Sequence, residues 1–124
     1  MTSPSQARVY HTQQVHYIKN TLTFSSGVVT IGTVPAGATI LRAISGAQVN
    51  VAFNAGTNNL IDIGTTANDD LFATDLAGGT IAFVPFDEAV TQVISSDTTF
   101  TATYAQTGTA ASAGSATIVI SYIP

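Results

Sequence analysis

Two histidines are the side chains of this sequence best suited to acid–base chemistry near neutral pH. His11 and His16 are the only histidines, and they stand five residues apart. On a β-strand that separation places two side chains on opposite faces, and on an extended segment nothing holds either ring in place. We therefore expect no general base here. The sequence predicts histidines that are exposed or that lie at a subunit contact.

The acidic residues could ligate a cation, because calcium is bound by several carboxylate and carbonyl oxygens. They concentrate in two groups, which are Asn68, Asp69, Asp70 and Asp75 in the first and Asp87 and Glu88 in the second. The spacing does not match an EF-hand, and Asp and Asn are ordinary helix-cap and turn residues. We expect capping and solvation, with no metal and no cofactor; a bound cation at the first group is the alternative.

The motifs of nucleophilic and phosphate chemistry are missing from the sequence. It has no Cys, no Gly-x-Ser-x-Gly elbow for a serine nucleophile, and no Gly-rich loop followed by Lys and Ser or Thr. We expect a protein that is not an enzyme. A small hydrolase with a metal site near Asp69, Asp70 and Asp75 is the enzymatic alternative.

The composition indicates a folded chain with very few charges. Its 124 residues are enough for one domain, 45% of them are hydrophobic, and only 8% are charged, against about 25% in typical domains. Lys and Glu normally cover the surface of a free monomer, whereas charges are depleted at the centre of interfaces. This favours a subunit that other protein covers in a permanent assembly. An ordinary Thr-rich β domain is the other interpretation.

The net charge limits the partners. Three basic and seven acidic residues give −4, which argues against nucleic acid because that binding depends on several basic phosphate contacts. No apolar run approaches the roughly 20 residues that span a bilayer, and the first residues lack the apolar stretch of a signal peptide. We expect neither nucleic acid nor membrane as a partner.

Alternating apolar and polar residues predict the fold. Residues 47–54, 98–106 and 115–123 show this alternation, and turn residues separate about nine such runs at spacings near ten residues. This predicts an all-β fold, a single antiparallel β-sandwich with jelly-roll or Greek-key connections. Residues 66–76 alone have near-helical apolar spacing and predict a short helix or turn.

The N-terminal segment differs from the rest in charge. Residues 1–24 contain Arg8 and Lys19 and no acid, whereas residues 25–124 contain one arginine and seven acids, a net charge of −6. We divide the chain into an extended N-terminal arm, residues 1–20, and a β-sandwich domain, residues 21–124. Terminal segments of this kind are usually disordered unless a partner holds them in place, and we expect a neighbouring subunit to do so.

Three stretches carry a resemblance to a known group of proteins. They are residues 33–40 (TVPAGATI), residues 49–64 (VNVAFNAGTNNLIDIG) and residues 101–124. Together they resemble the β-sandwich capsid decoration (cement) proteins of tailed bacteriophages and related head-fibre proteins. The resemblance covers about residues 28–124 and includes no catalytic motif.

The resemblance implies a structural role in the virion. The protein would be made in the host cytoplasm, assemble as trimers or dimers, bind the major capsid protein on the outer surface of the capsid and stabilise the shell. We expect the arm to make that contact, because Tyr and Arg provide anchoring area and directed hydrogen bonds. The expected capsid-binding residues are Arg8, Tyr10, His11, Tyr17 and Lys19. A head-fibre or tail-tip module that binds a host receptor or glycan through residues 54–59 and 108–114 is the alternative.

Overall fold

The computed structural model of the chain describes residues 14–88 and 93–124. Arg8, Tyr10 and His11 lie outside these residues. The described part is built of antiparallel strands and one short 3-10 turn, Arg42–Ile44. The strands are β1 (His16–Thr23), β2 (Val28–Val34), β3 (Thr39–Ile40), β4 (Gly46–Val51), β5 (Asn58–Gly64), β6 (Ala73–Ala77), β7 (Phe83–Pro85), β8 (Thr98–Thr107) and β9 (Ser115–Ile123).

The strands form two sheets, and this confirms the predicted all-β sandwich. Sheet A has the order β1-β9-β4-β7, with β3 also paired to β9. Sheet B has the order β2-β8-β5-β6. The chain passes repeatedly from one sheet to the other, so most neighbours within a sheet are distant in sequence. Within the described ranges, no helix has the length and hydrophobicity needed to cross a membrane.

The core lies between the sheets, and the central strands β8 and β9 show how the sequence places it there. In β8, Phe100 and Ala102 are fully buried, while Thr99, Thr101 and Thr103, which alternate with them, point to the outer face of sheet B. In β9, Ile118 and Ile120 are fully buried in the same way. Side chains alternate between the faces of a strand, so the predicted alternation is confirmed in both strands.

Of the short helix or turn predicted over residues 66–76, the structure has a turn at Asp69 and Asp70, and the C-terminal part is strand β6 rather than helix. Ala73 and Leu76 are both buried although they are three residues apart. Asp75 between them has φ +56°, and the β5–β6 pairing shifts register between Ile61 and Ile63. A bulge adds a residue between two inward positions. That extra residue produces the near-helical spacing in the sequence.

The predicted strand over residues 39–44 is interrupted. Only Thr39–Ile40 pairs with β9, and the 3-10 turn Arg42–Ile44 then leads into β4, which pairs with β9 again. The strand predicted over residues 89–94 lies mostly outside the described residues. Its described end makes one isolated bridge, between Val93 and Thr39.

The sandwich begins earlier in the chain than the sequence suggested. Strand β1 starts at His16 and pairs with β9 without a break from His16 opposite Tyr122 to Thr23 opposite Ser115. The boundary expected after residue 20 therefore falls inside a strand. Residues 16–20 belong to the sheet because they pair with β9. Ile18 among them packs against the core, on the same side of β1 as the fully buried Leu22.

Candidate functional site

Opposite charges lie mainly on opposite sides of the sandwich. Lys19 is on β1, and Arg42 is in the turn between β3 and β4, so both described cations belong to sheet A. Five acids belong to sheet B or to its margins: Asp62 on β5, Asp69 and Asp70 after it, Asp75 on β6 and Asp97 before β8. Asp87 and Glu88 follow β7, the terminal strand of sheet A, where the chain turns toward β6. Asp87 accepts a hydrogen bond from the backbone N–H of Thr74 in β6, 2.9 Å away.

The outer face of sheet A has no carboxylate in its described part and exposes several apolar side chains among polar ones. Strand register places Lys19, Val119, Gly46 and Pro85 in one outward row. Thr21, Thr117, Gln48 and Phe83 form the next row. Most of the exposed large hydrophobic residues lie on this face or at its margins: Tyr17 (60% exposed), Ile44 (51%), Val51 (48%), Ile81 (64%), Phe83 (41%) and Ile123 (45%).

The predicted capsid-binding residues within the described part lie together on this face. Tyr17 and Lys19 are two residues apart on β1, so they point the same way, and both are exposed. Strand β1 is the terminal strand of sheet A. His16 faces the other way, with its ring centroid 5.7 Å from that of Tyr122. The structure therefore places Tyr17 and Lys19 at one edge of the outer face of sheet A.

At the opposite edge of the face lies an apolar group that the sequence analysis did not single out. Phe83 lies opposite Gln48, and the carbonyl of Ala82 accepts a hydrogen bond of 2.8 Å from the N–H of Val49. Ile81 lies in the bend directly before β7 and is 64% exposed, so it stands at the margin of this face. Residues 81–84 are all apolar, so alternation could not show which of them face outward.

A hydrogen bond joins the first acidic group, at the backbone of Asp75, to the carboxylate of Asp62 on the neighbouring strand. The Asp62 carboxylate accepts a bond of 2.7 Å from the N–H of Asp75. Burial is the main cause that raises the pKa of Asp62; the charges of Asp75, Asp69 and Asp70 raise it further, and the hydrogen bond opposes them. Among the described residues, no three His, Cys, Asp or Glu side chains converge as metal ligands.

A cleft of about 350 Å3 opens on the outer face of sheet B. It lies between the threonines of β8 and the turn after β5, and its lining is Val28, Thr65, Thr66, Ala67, Asn68, Asp69, Thr101 and Thr103. The turn can lie on the sheet because Gly64 has no side chain; a Cβ there would overlap the backbone of Asn68 and Asp69. The Thr103 hydroxyl is buried without a hydrogen-bond partner in the described part of the chain.

The two loops considered for receptor binding are bonded to each other. The Asn54 side-chain oxygen accepts hydrogen bonds from the N–H groups of Ser112 (2.8 Å) and Ala113 (3.0 Å), and its amide donates to the Ser112 hydroxyl. The Asn59 side-chain oxygen likewise accepts from the N–H of Ala55 and from the hydroxyl of Tyr104. These bonds occupy side-chain groups that would otherwise face a ligand.

Comparison with known proteins relates the fold to a phage capsid. No family model matches the chain, and no curated protein matches it. A solved structure matches it along its whole length: a chain of the cyanophage Pam1 capsid asymmetric unit, with a TM-score of 0.71 and 14% sequence identity. The match covers 100% of this chain and 93% of the other. At the level of the fold, it confirms the resemblance to capsid-associated β-sandwich proteins of phages.

Proposed function

We propose that this chain is a non-enzymatic structural protein of a phage virion that binds the outside of the capsid and stabilises the shell. The observation that carries the proposal is the full-length likeness in fold to a chain of a phage capsid asymmetric unit. Its partners are then the major capsid protein and further copies of itself, with a trimer favoured and a dimer as the second choice.

The exposed surface supports a protein that works within an assembly. Only 8% of the residues are charged, and the outer face of sheet A exposes Tyr17, Ile81 and Phe83 by 40% or more of each side chain. Apolar surface of this kind is stabilised by contact with other protein. The acidic outer face of sheet B is suited to water, and we place it toward the solvent.

The contact with the shell is assigned to the β1 edge. Tyr17 and Lys19 lie there, directly after the arm that contains Arg8, Tyr10 and His11. A terminal strand has a free edge to which an extended segment of a neighbour can pair. The arm, which precedes this edge in the sequence, and the edge itself are the segments that we assign to the contact with the major capsid protein.

Stabilisation of the shell then requires no chemistry. A protein that binds the assembled lattice and not the free subunits shifts the equilibrium toward the lattice by mass action. At a free concentration one hundred times the dissociation constant, each site contributes about 2.7 kcal/mol. This opposes the outward pressure of packaged DNA.

Removal of the arm tests the proposal. Shells of the major capsid protein of the same phage are mixed with the full chain or with a chain that lacks residues 2–13, and bound protein is measured after sedimentation. We expect the truncated chain to fold and to lose binding. Undiminished binding by the truncated chain would overturn the assignment of the arm, and no binding by the full chain would overturn the proposed function.

A pair of matched variants tests the β1 edge separately. Tyr17→Ala with Lys19→Ala changes exposed residues of sheet A, and we expect it to weaken shell binding at least tenfold, as for the loss of an anchor residue. Val28→Ala with Thr30→Ala changes exposed residues of sheet B, on β2. This control should bind as the wild type does; equal losses in both variants would contradict the assignment to β1.

A receptor- or glycan-binding module is the second candidate, and the cleft on sheet B is the observation that favours it. Hydroxyl groups of Thr65, Thr66 and Thr101 and the carboxylate of Asp69 line the cleft. Sugar hydroxyls form hydrogen bonds with such groups. A glycan array with the full chain distinguishes the two candidates: specific binding that Asp69→Ala abolishes would support this one, and no binding would eliminate it.

A further inference from the structure

We infer that copies of this chain associate through the outer face of sheet A, with the contact centred on β4 and β7. The inference rests on the self-association included in the proposed function; it adds the surface that makes the contact, and because the same face of both copies takes part, it favours the dimer over the trimer. The residues at its centre are Ile44, Val51, Ile81 and Phe83.

The first argument is the arrangement of the apolar side chains. Phe83 lies opposite Gln48 on the outer face of sheet A and is 41% exposed, and Ile81, in the bend that leads into β7, is 64% exposed. Val51, on the neighbouring strand, is 48% exposed and lies opposite Ser115. Side chains from adjacent strands on one face lie about 5 Å apart. These side chains therefore expose apolar surface at nearby positions of β4 and β7, beside the polar side chains of Gln48 and Asn50.

The second argument is charge, and it selects a second copy as the occupant. Two copies with a net charge of −4 each repel unless their carboxylates are kept apart. Contact through sheet A places the two acidic faces about 30 Å from each other, which is three intersheet spacings of about 10 Å. That separation exceeds the Debye length of about 8 Å at physiological ionic strength, so the repulsion is screened.

The opposite arrangement, sheet A on sheet B, is less favourable. It would bury the carboxylates of Asp62, Asp69 and Asp75 against the aliphatic side chains of sheet A, and an unpaired charge is costly to remove from water. Lys19 could reach only some of them, because it lies on β1, about 14 Å or three strand spacings from β7. In the face-to-face arrangement Lys19 stays at the rim, where water can reach it.

The third argument is area. Four strands at about 4.8 Å spacing and eight residues at about 3.3 Å give a face of roughly 19 by 26 Å, or about 500 Å2 in projection. Two such faces would bury on the order of 1,000 Å2, which is the lower range of specific protein–protein interfaces. The whole face, with β1 included, thus reaches the lower range of specific contacts; Tyr17 and Lys19 then lie at the rim of the contact, where the edge of β1 and the arm remain available to the shell.

Charge introduced at the centre of the face tests the inference in solution, without shells. Sedimentation equilibrium is measured on the full chain, on Ile81→Lys with Phe83→Lys, and on the control Val28→Lys with Thr30→Lys, whose positions are exposed on sheet B. We expect an oligomeric wild type and control, and a rise of about 30-fold or more in the dissociation constant of the sheet A variant. Circular dichroism verifies that each variant is folded.

Cross-linking provides a test that does not depend on charge. Because the chain has no Cys, a disulfide that joins two copies of the Phe83→Cys variant can form only between the two substituted positions. We expect Phe83→Cys to form linked dimers on mild oxidation and Val28→Cys not to form them. Linked dimers with Val28→Cys only, or an oligomer that the sheet A lysines leave intact, would overturn the inference.

The outcome is separable from the proposed function. A wild type that remains monomeric at all concentrations but still sediments with shells overturns the inference and retains the shell-binding role. Conversely, association through Phe83 without any binding to shells confirms the inference and overturns the shell-binding role.

Discussion

Ser45 and Ser121 form reciprocal hydrogen bonds at the interruption between β3 and β4. Each hydroxyl bonds to the backbone of the other segment. The Ser45 hydroxyl accepts a hydrogen bond from the Ser121 N–H and donates to the Leu41 carbonyl, both at 2.8 Å. The Ser121 hydroxyl donates to the carbonyl of Ile44 at 3.0 Å. Ser45 is fully buried. The two hydroxyls thus satisfy backbone groups that lose their strand partners at the 3-10 turn.

Replacement of Ser45 should therefore destabilise the fold. Ser45→Ala leaves the buried N–H of Ser121 without a partner, and such a loss costs about 1–3 kcal/mol. We expect urea unfolding to show a decrease of that size in the free energy of unfolding. Ser26→Ala is the control, since the Ser26 hydroxyl bonds to Thr23 in an exposed turn where water can replace it. Equal effects of both substitutions would contradict the role given to Ser45.

Acidification should act on stability through Asp62. Its pKa is raised in the folded protein, mainly by burial, so the folded state binds a proton more readily than the unfolded state does. The contribution of Asp62 to stability is fully present below pH 3.8, its unfolded value, and is lost as the pH rises through the raised folded pKa. Asp62→Asn should remove this dependence and unfold at a higher urea concentration than the wild type at pH 7.

Urea unfolding of the wild type and of Asp62→Asn, measured at several pH values from 3 to 7, tests this effect through the urea concentration at each midpoint. The asparagine side-chain oxygen can still accept the bond from the Asp75 N–H, so Asp62→Asn keeps the local geometry. Asp97→Asn is the control, because the Asp97 carboxylate accepts a bond from the Ala36 N–H in an exposed turn away from the acidic group. Lower stability of Asp62→Asn at pH 7 would show that the charged form is favoured in the folded state.

A side chain at position 64 should disrupt the turn that covers sheet B. In Gly64→Ala the new Cβ would overlap backbone atoms of Asn68 and Asp69, so the turn must shift. Overpacking of this kind costs about 1–3 kcal/mol. Gly79→Ala is the matched control, because a Cβ at Gly79 finds no atom closer than 4.0 Å. Thermal unfolding of both variants tests the difference; equal melting temperatures would contradict it.

Removal of the Asn54 side chain should increase the mobility of the two loops that it joins, residues 54–59 and residues 108–114. Asn54→Ala loses the acceptor of the Ser112 and Ala113 N–H groups, and both should then exchange their amide hydrogens faster. Asn50→Ala provides the control, since the Asn50 amide makes one exposed bond, to the Thr117 hydroxyl. Unchanged exchange at residues 112 and 113 would mean that other contacts hold the loop.

The long regular strands could be predicted from the sequence, and the irregular ones could not. Phe100 and Ala102 in β8 and the isoleucines of β9 alternate with polar residues because only one face of each strand is buried. β6 was missed because the positive φ of Asp75 inserts an extra residue between Ala73 and Leu76. Which local bulge forms depends on the pairing with β5, and a single sequence does not contain that information.

The candidate surface was predicted in part. The exposed positions of Tyr17 and Lys19 follow from their charge or polarity and from the alternation of β1. The contribution of Ile81 and Phe83 did not follow, because residues 81–84 are uniformly apolar and only the pairing of β7 with β4 determines which of them face outward. The apolar surface of sheet A therefore depends on tertiary structure.

The placement of Lys19 and Arg42 on one sheet and of five acids on and around the other gives the described part of the molecule an electric dipole moment across the two layers. Two copies that meet through sheet A, with the β1 edge directed to the shell, keep both acidic faces on the outside of the pair. A fully covered particle would thus carry a uniform anionic coat, and its electrophoretic mobility toward the anode would report how many copies have bound.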